Sequence, residues 1–301
     1  MKIKEVCHRN FLKDPDHFSM HWALTNNCNY KCNYCGVWKD EEIYPHMKAV
    51  EYINHINNHK NVDTVLFGGE PLIHPNILQI TADLESDIRI CTNLGRSLRF
   101  LEELSSVNSN LKIIASLHLH KADLIEFANK IEFACKNFKF VKLKIMYDPT
   151  VKLQSKKVWE YFKAYEKLYD NMKVYLDMVY HPDFPITKGD LKFFDSQQND
   201  DRFYIRTEEI DKFLSYNEIR RMFDGFPNYY GYQCYCGKSG LFINSNGDVS
   251  YCQTKKNKGQ IIFNINNIDD YTDYDYLLIN PIICDMNEPC YEVVIPRRSN
   301  D

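Results

Sequence analysis

The stretch Asn27-Cys28-Asn29-Tyr30-Lys31-Cys32-Asn33-Tyr34-Cys35-Gly36 spaces three cysteines as Cys-x3-Cys-x2-Cys. Three thiolates on one short loop can hold three irons of a [4Fe–4S] cluster. The fourth iron then takes no ligand from this loop and stays open. An open iron is a site for one-electron chemistry on a bound small molecule, not a structural staple. The competing reading is a zinc loop or a set of reduced cysteines. A zinc knuckle pairs two Cys-x2-Cys-like halves, and no second half follows within reach, so the neighbouring sequence has to decide.

Working outward, His21-Trp22-Ala23-Leu24-Thr25 is an apolar run that reads as a strand leading into the loop. Further on, Thr64-Val65-Leu66-Phe67-Gly68-Gly69-Glu70-Pro71 reads as a second strand ending in Gly-Gly-Glu-Pro. A lone Gly-Gly-Glu-Pro is a turn. Together with the cysteine loop, at this offset, it resembles the radical S-adenosylmethionine (radical SAM) superfamily. The resemblance implies that Cys28, Cys32 and Cys35 hold the cluster and that the methionine part of S-adenosylmethionine (SAM) chelates the open iron. It also implies that Gly68, Gly69, Glu70 and Pro71 lie along the methionine amino group, and that Tyr34 packs on adenine. Glycines let backbone carbonyls approach a ligand closely, and a carboxylate accepts from an ammonium.

The chain has 301 residues, 44% of them hydrophobic, enough for one large domain or a domain with an appendage. A net charge of −4 gives no basic field for nucleic acid. The charged start Met1-Lys2-Ile3-Lys4-Glu5 lacks an apolar signal core, and no run approaches the ~18 apolar residues of a membrane span. Eleven cysteines in such a chain read as metal ligands rather than disulfides. The expected place is a reducing cytoplasm, with no membrane partner.

Strand-like and helix-like stretches alternate along the first 180 residues. Strands are expected at 21–25, 63–67, 88–92, 112–117, 140–147 and 174–180, and helices at 46–59, 75–84, 98–105, 121–136 and 155–169. Six βα-like units predict an α/β fold with a parallel sheet and outer helices, fewer than the eight of a closed barrel. The resemblance makes this a partial (β/α)6 TIM-like barrel over 1–185. Ligands sit at the carboxyl ends of such strands. The third strand ends in Cys91-Thr92-Asn93-Leu94-Gly95, which looks like the family's Thr-Asn-Gly segment with one residue inserted. Ser116 on the fourth strand stands where the family places a small polar residue near the SAM ribose or carboxylate. Ile145 and Met146 on the fifth would flank adenine. Cys91 and Cys135 are expected as buried free thiols, and Cys7 as unligated.

After Tyr180, His181-Pro182-Asp183-Phe184-Pro185 breaks the alternation. Residues 186–232 read as a linker or lid with a helix-like stretch at 207–223. Residues 233–301 form an expected small C-terminal domain. Its readable unit runs from Cys236 through strand-like 241–244 and 249–251 to Cys252, with Asn246-Gly247 as a two-residue hairpin turn. This resembles the hairpin of the SPASM and twitch domains appended to some radical SAM enzymes. A full SPASM domain carries a further run of four cysteines, but 253–283 hold none. The resemblance is thus to the shorter twitch form, with one auxiliary [4Fe–4S] cluster on Cys236, Cys252, Cys284 and Cys290. Cys234 is the alternative to Cys236, and zinc the alternative metal.

The resemblance implies reductive cleavage of SAM to methionine and a 5′-deoxyadenosyl radical, which abstracts hydrogen from a substrate. An electron donor such as flavodoxin or ferredoxin would feed the cluster. The substrate is expected to be a small molecule, a sugar, cyclitol or similar metabolite, oxidised or rearranged. The alternative is a peptide that is crosslinked, epimerised or oxidised. Only 27 residues precede Cys28, fewer than the leader-gripping domain of many peptide-modifying relatives needs, which favours the small molecule. A carrier or zinc protein without catalysis is the remote reading. Candidate substrate contacts are His118, His120, Asp148, Asp177 and His181.

Overall fold

Strand side chains point alternately to opposite faces, and in this chain one of the two sets is almost wholly apolar. A computed structural model describes residues 3–8, 17–35, 46–178, 187, 203–207, 211–214, 233–234, 240–251, 261–268, 282–283 and 296–297. In chain order the described strands are β1 (Ile3–His8), β2 (His17–Thr25), β3 (Asn61–Gly68), β4 (Asp87–Thr92), β5 (Lys112–Leu117), β6 (Phe140–Tyr147), β7 (Met172–Met178), β8 (Phe203–Thr207) and β9 (Asp211–Leu214). They continue with β10 (Gln233–Cys234), β11 (Gly240–Ile243), β12 (Asp248–Ser250), β13 (Phe263–Asn264), β14 (Ile282–Ile283) and β15 (Pro296–Arg297). The helices are α1 (Met47–Asn57), α2 (Ile77–Asp83), α3 (Leu98–Val107), α4 (Leu124–Asn137) and α5 (Lys152–Glu166). The chain divides into two compact units. One comprises Met1–His21, Pro45–Asp63 and Gln198–Asp301, the other Trp22–Tyr44 and Thr64–Gln197.

The second unit holds most of the parallel sheet. Its strands run in the order β2, β3, β4, β5, β6, β7, and β4 through β7 pair in parallel, for example Cys91 with Ile114, Ser116 with Lys144, and Met146 with Asp177. Ile113, Ala115, Leu117, Val141, Leu143, Ile145 and Tyr147 have no exposed surface. Helices α4 and α5 supply the facing apolar positions: Phe127, Ile131 and Ala134 recur at helical spacing on α4, and Val158 and Phe162 on α5. Each buried Val, Leu, Ile or Phe among them contributes roughly 1.5–3 kcal/mol. The alternate row, with Cys91, Ile114, Ser116, Lys142, Lys144, Met146, Tyr175 and Asp177, is only half-buried. That is the α/β arrangement, a parallel sheet with helices, that the alternation predicts. Each strand and helix expected between 21 and 180 has a counterpart among the described residues, with ends shifted by a few residues at most positions; residues 179 and 180 of the last strand lie outside them.

The caps explain where two helices begin. Asp123 accepts from the backbone N–H groups of Ile125 and Glu126 at 3.0 and 2.9 Å ahead of α4, and Ser97 accepts from Phe100 N–H ahead of α3.

In the first unit β1, β8, β9, β10, β14 and β15 form an antiparallel sheet in the order β14, β10, β15, β1, β8, β9. This corrects the helix expected over 207–223: Asp211–Leu214 is a strand, paired with β8 from Phe203–Leu214 to Arg206–Asp211. The ladder to β8, itself paired to β1, is a non-local preference that local helical spacing does not reveal. The expected hairpin is present as β11 and β12, but its turn is longer than two residues. Gly247 N–H donates to Asn244 O at 2.9 Å and Asn244 N–H to Asp248 O at 2.8 Å, with Gly247 at φ +85°. This is a three-residue loop with glycine in the left-handed position. Strand β13 pairs with β12, and the ring of its Phe263 lies edge-on to Tyr52 of α1 at 5.6 Å. Among the described residues, no helix is long and apolar enough to cross a membrane.

Candidate functional site

The loop after β2 is held at its root by the end of β3. Gly69 N–H donates to Thr25 O at 2.7 Å and Glu70 N–H to Asn27 O at 2.9 Å. A Cβ on Gly68, which sits at φ +135°, would lie 2.0 Å from Thr25 O, and one on Gly69 would lie 2.2 Å from Asn27 O. The two glycines are therefore demanded by the backbone of the loop root. That is a second reason for them beside the approach to a ligand which the sequence suggests.

Glu70 has no exposed surface. Its Oε1 accepts from Leu72 N–H at 3.0 Å and Thr92 Oγ1 at 2.6 Å, and its Oε2 from Asn93 N–H at 2.6 Å. Burial pushes its carboxyl up to about 7 against the pull of those three donors. Three protein donors occupy the carboxylate, so it ties the end of β3 to the end of β4. Pro71 is buried at the start of a short 3-10 turn, Pro71–Ile73. Thr92 and Asn93 are buried with Glu70, and Thr92 Oγ1 also accepts from Leu94 N–H at 2.9 Å. The inserted Leu94 takes a left-handed φ of 53°, and the buried Lys130 donates to its carbonyl at 2.9 Å while pairing with Glu126 at 2.6 Å.

Cys28, Cys32 and Cys35 are free thiols. Cys35 N–H closes a turn on Cys32 O at 3.0 Å, and Tyr30 N–H donates to Cys28 Sγ at 3.3 Å. Burial raises the Cys28 thiol above its ordinary value, with added repulsion from Glu70, Cys32 and Cys35. Burial does the same to Cys32, opposed by a hydrogen bond with Tyr34 and by the charge of Lys121 and aided by repulsion from Cys35. Three thiolates this close repel one another, and irons are the counter-charge that such a set accommodates. Among the described residues no three His, Cys, Asp or Glu side chains converge on the position of one metal ion. A [4Fe–4S] cluster does not ask for that, because each thiolate takes its own iron.

Tyr34 turns to His118 at the end of β5. Its hydroxyl lies 2.7 Å from His118 Nδ1, and the two rings are near-parallel at 6.0 Å. Burial raises the Tyr34 hydroxyl well above its usual range and pushes His118 down to about 4. His118 Nδ1 is also 3.7 Å from Cys32 Sγ, and Tyr30 meets its ring edge-on. The histidine singled out as a substrate contact thus stands against the cysteine loop. Asp148 is also engaged: Thr150 donates to its Oδ1 from both N–H and hydroxyl, at 2.8 and 2.6 Å, and His120 Nε2 lies 3.1 Å from Oδ2. It is 3% exposed and acts as a cap. Asp177 pairs with Lys144 at 3.1 Å on the half-buried row. Ser116 and Met146 share that row, whereas Ile145 stands in the core at 0% exposure, so of the two residues expected to flank adenine only Met146 faces the open side. Alternation along β6 puts these neighbours on opposite faces. Cys135 is buried and Cys91 half-buried.

Sequence reasoning missed the contacts that tie the loop to β4: Asn93 Nδ2 donates to Asn29 Oδ1 at 2.8 Å and reaches Cys28 Sγ at 3.7 Å. It also missed Lys130, although a lysine among Phe127, Ala128, Ile131 and Ala134 with Glu126 four residues earlier was a signal of a buried, paired ammonium. Cys236, Cys252, Cys284, Cys290 and His181 lie outside the described residues. Cys234 is described only as backbone in β10.

Residues 22–131 match the model of the Radical SAM superfamily. No curated protein compared with the chain matches it. Among solved structures, Streptococcus suis SuiB bound to S-adenosylmethionine is 15% identical, with a TM-score of 0.44 over 87% of this chain and 65% of SuiB. SuiB bound to the precursor peptide SuiA gives 14% and 0.43, over 87% and 66%. BtrN in complex with AdoMet and 2-DOIA gives 13% and 0.43, over 87% of each chain. The chain thus spans about two thirds of SuiB's length. The family match contains the cysteine loop, the strand end that anchors it and the segment that Glu70 ties down.

Proposed function

We propose that this protein is a radical SAM enzyme of the oxidoreductase type. It uses a [4Fe–4S] cluster on Cys28, Cys32 and Cys35 to cleave SAM and to take a hydrogen atom from a small-molecule substrate. The observation that carries the reading is the seating of three free thiols on one loop whose root is bonded to the Gly68-Gly69-Glu70 strand end, within the span of the family match. When bound, the cluster supplies the single electron that yields methionine and the 5′-deoxyadenosyl radical. The chain's own residues do the rest. Glu70, Thr92 and Asn93 fix the loop against two strand ends, and Tyr30, Tyr34 and His118 wall one side of it. Ser116, Met146, Lys144 and Asp177 form a half-buried, mostly polar row on successive strands. Such a row suits a substrate carrying hydroxyl or amine groups, which it would hold against the radical. An auxiliary [4Fe–4S] cluster on Cys236, Cys252, Cys284 and Cys290 would accept the electron left on the substrate and make the outcome a net oxidation. A flavodoxin or ferredoxin would serve as donor, in the cytoplasm.

The test of the substrate class uses extract from cells grown in deuterated medium, divided into small-molecule and peptide fractions. Each is incubated anaerobically with the protein, unlabelled SAM and a reductant. Deuterium in 5′-deoxyadenosine from the small-molecule fraction supports the proposal. Label from the peptide fraction alone overturns the substrate class and installs a peptide-modifying enzyme.

A further inference from the structure

The side-chain amide of Asn93 is fixed in one orientation by its surroundings. Its Oδ1 accepts from Gly95 N–H at 2.7 Å, so its Nδ2 faces the other way, toward the cysteine loop. One of the two amide hydrogens goes to Asn29 Oδ1 at 2.8 Å, and Cys28 Sγ lies within reach of the same nitrogen at 3.7 Å. The backbone is fixed as well, since Asn93 N–H donates to the buried Glu70 carboxylate at 2.6 Å. Room for this arrangement comes from Gly95, where a Cβ would sit 1.8 Å from Asn29 Nδ2. Asn93 is 5% exposed, and a donor so dry acts more strongly on a charged acceptor than it would in water.

We propose that Asn93 is a positioning residue that hydrogen-bonds the Cys28 thiolate of the bound cluster and thereby raises the cluster's reduction potential. The proposal rests on the cluster assignment made above. A reduced cluster carries one more negative charge than the oxidised one, part of it on its sulfurs. A donor aimed at a sulfur therefore stabilises the reduced state more. Tyr30 N–H makes a comparable contact from within the loop. Asn93 differs in coming from another strand, so the strand framework itself helps set the potential.

The test is an anaerobic redox titration of the full chain, followed by electron paramagnetic resonance on the signal that changes when SAM is added, with iron content measured alongside. Wild type is compared with Asn93→Ala and Asn93→Asp. The aspartate keeps the acceptor for Gly95 N–H and the backbone bond to Glu70, and replaces the donor by a negative oxygen. Both variants should titrate at more negative potential than wild type, the aspartate further than the alanine. An unchanged midpoint in Asn93→Ala with full iron content overturns the proposal and leaves the cluster assignment standing. Failure of wild type to assemble a SAM-responsive cluster overturns the assignment itself. Should neither variant hold iron, wild-type protein made with asparagine 15N-labelled at the side-chain amide decides. Nitrogen coupling to the reduced cluster supports donation, and its absence overturns it.

Discussion

At the residue scale the tightest constraint is steric. Gly68 and Gly69 face backbone oxygens at 2.0 and 2.2 Å from any Cβ, and a backbone carbonyl cannot rotate aside as a side chain can. Gly69→Ala should lower Tm and cut iron uptake sharply, because the loop root has to move; iron per chain and a melting curve check this. Glu70 makes a pH prediction. Its folded value of about 7 lies above the ordinary 4.5, so the folded state binds this proton more tightly than the unfolded one. The stability this confers is complete below about pH 4.5 and is lost as pH rises to about 7. His118, pushed down to about 4, acts oppositely, losing stability as pH falls through the same window. Comparison of anaerobic Tm at about pH 5 and about pH 7.5 in wild type and Glu70→Gln isolates the carboxyl. The wild-type advantage over the variant should shrink at the higher pH; an advantage that grows would contradict the burial argument. The three cysteines and Glu70 were legible as a motif. The engagement of the Glu70 carboxylate by Leu72, Thr92 and Asn93 was not, because it depends on how β3 and β4 end beside one another.

Elements were the most readable level. Lys112–Leu117 and Phe140–Tyr147 have the bounds their alternation predicts, since each has one face sealed in the core. The stretch 207–223 was misread because its spacing admits a helix while pairing across β8 makes part of it a strand. Ile145 shows a related limit: a family pattern names the position, but period-two alternation sets its face, here the buried one. Elements also carry the adaptation at the inserted Leu94. The left-handed backbone there is held by Lys130, which reaches its carbonyl from α4. Lys130→Met leaves that buried carbonyl without its donor, at a cost of ~1–3 kcal/mol. A Tm drop of several degrees is expected, whereas an unchanged Tm would show that the carbonyl finds another partner. Asp123→Ala, which removes the cap of the same helix, should cost ~1 kcal/mol without altering SAM cleavage.

At the scale of the whole molecule, the chain has one unit that carries the cysteine loop and most of the parallel sheet and another that carries the antiparallel sheet. The proposed auxiliary cluster belongs to the C-terminal cysteines, whose ligands are a matter of sequence alone, as is the choice between Cys234 and Cys236. Reconstituted protein should hold about eight irons, and Cys252→Ala about four, with slow uncoupled SAM cleavage retained because the two sites use separate stretches of chain. Zinc without a second iron cluster would overturn the auxiliary assignment. The central claim concerns Cys28, Cys32 and Cys35, and the most direct measurement is 5′-deoxyadenosine formed anaerobically from SAM and a strong reductant. Wild type should form it, and the Cys28→Ala/Cys32→Ala/Cys35→Ala variant should form none while keeping the irons bound elsewhere. Equal 5′-deoxyadenosine from the triple variant, or none from iron-loaded wild type, would contradict the account.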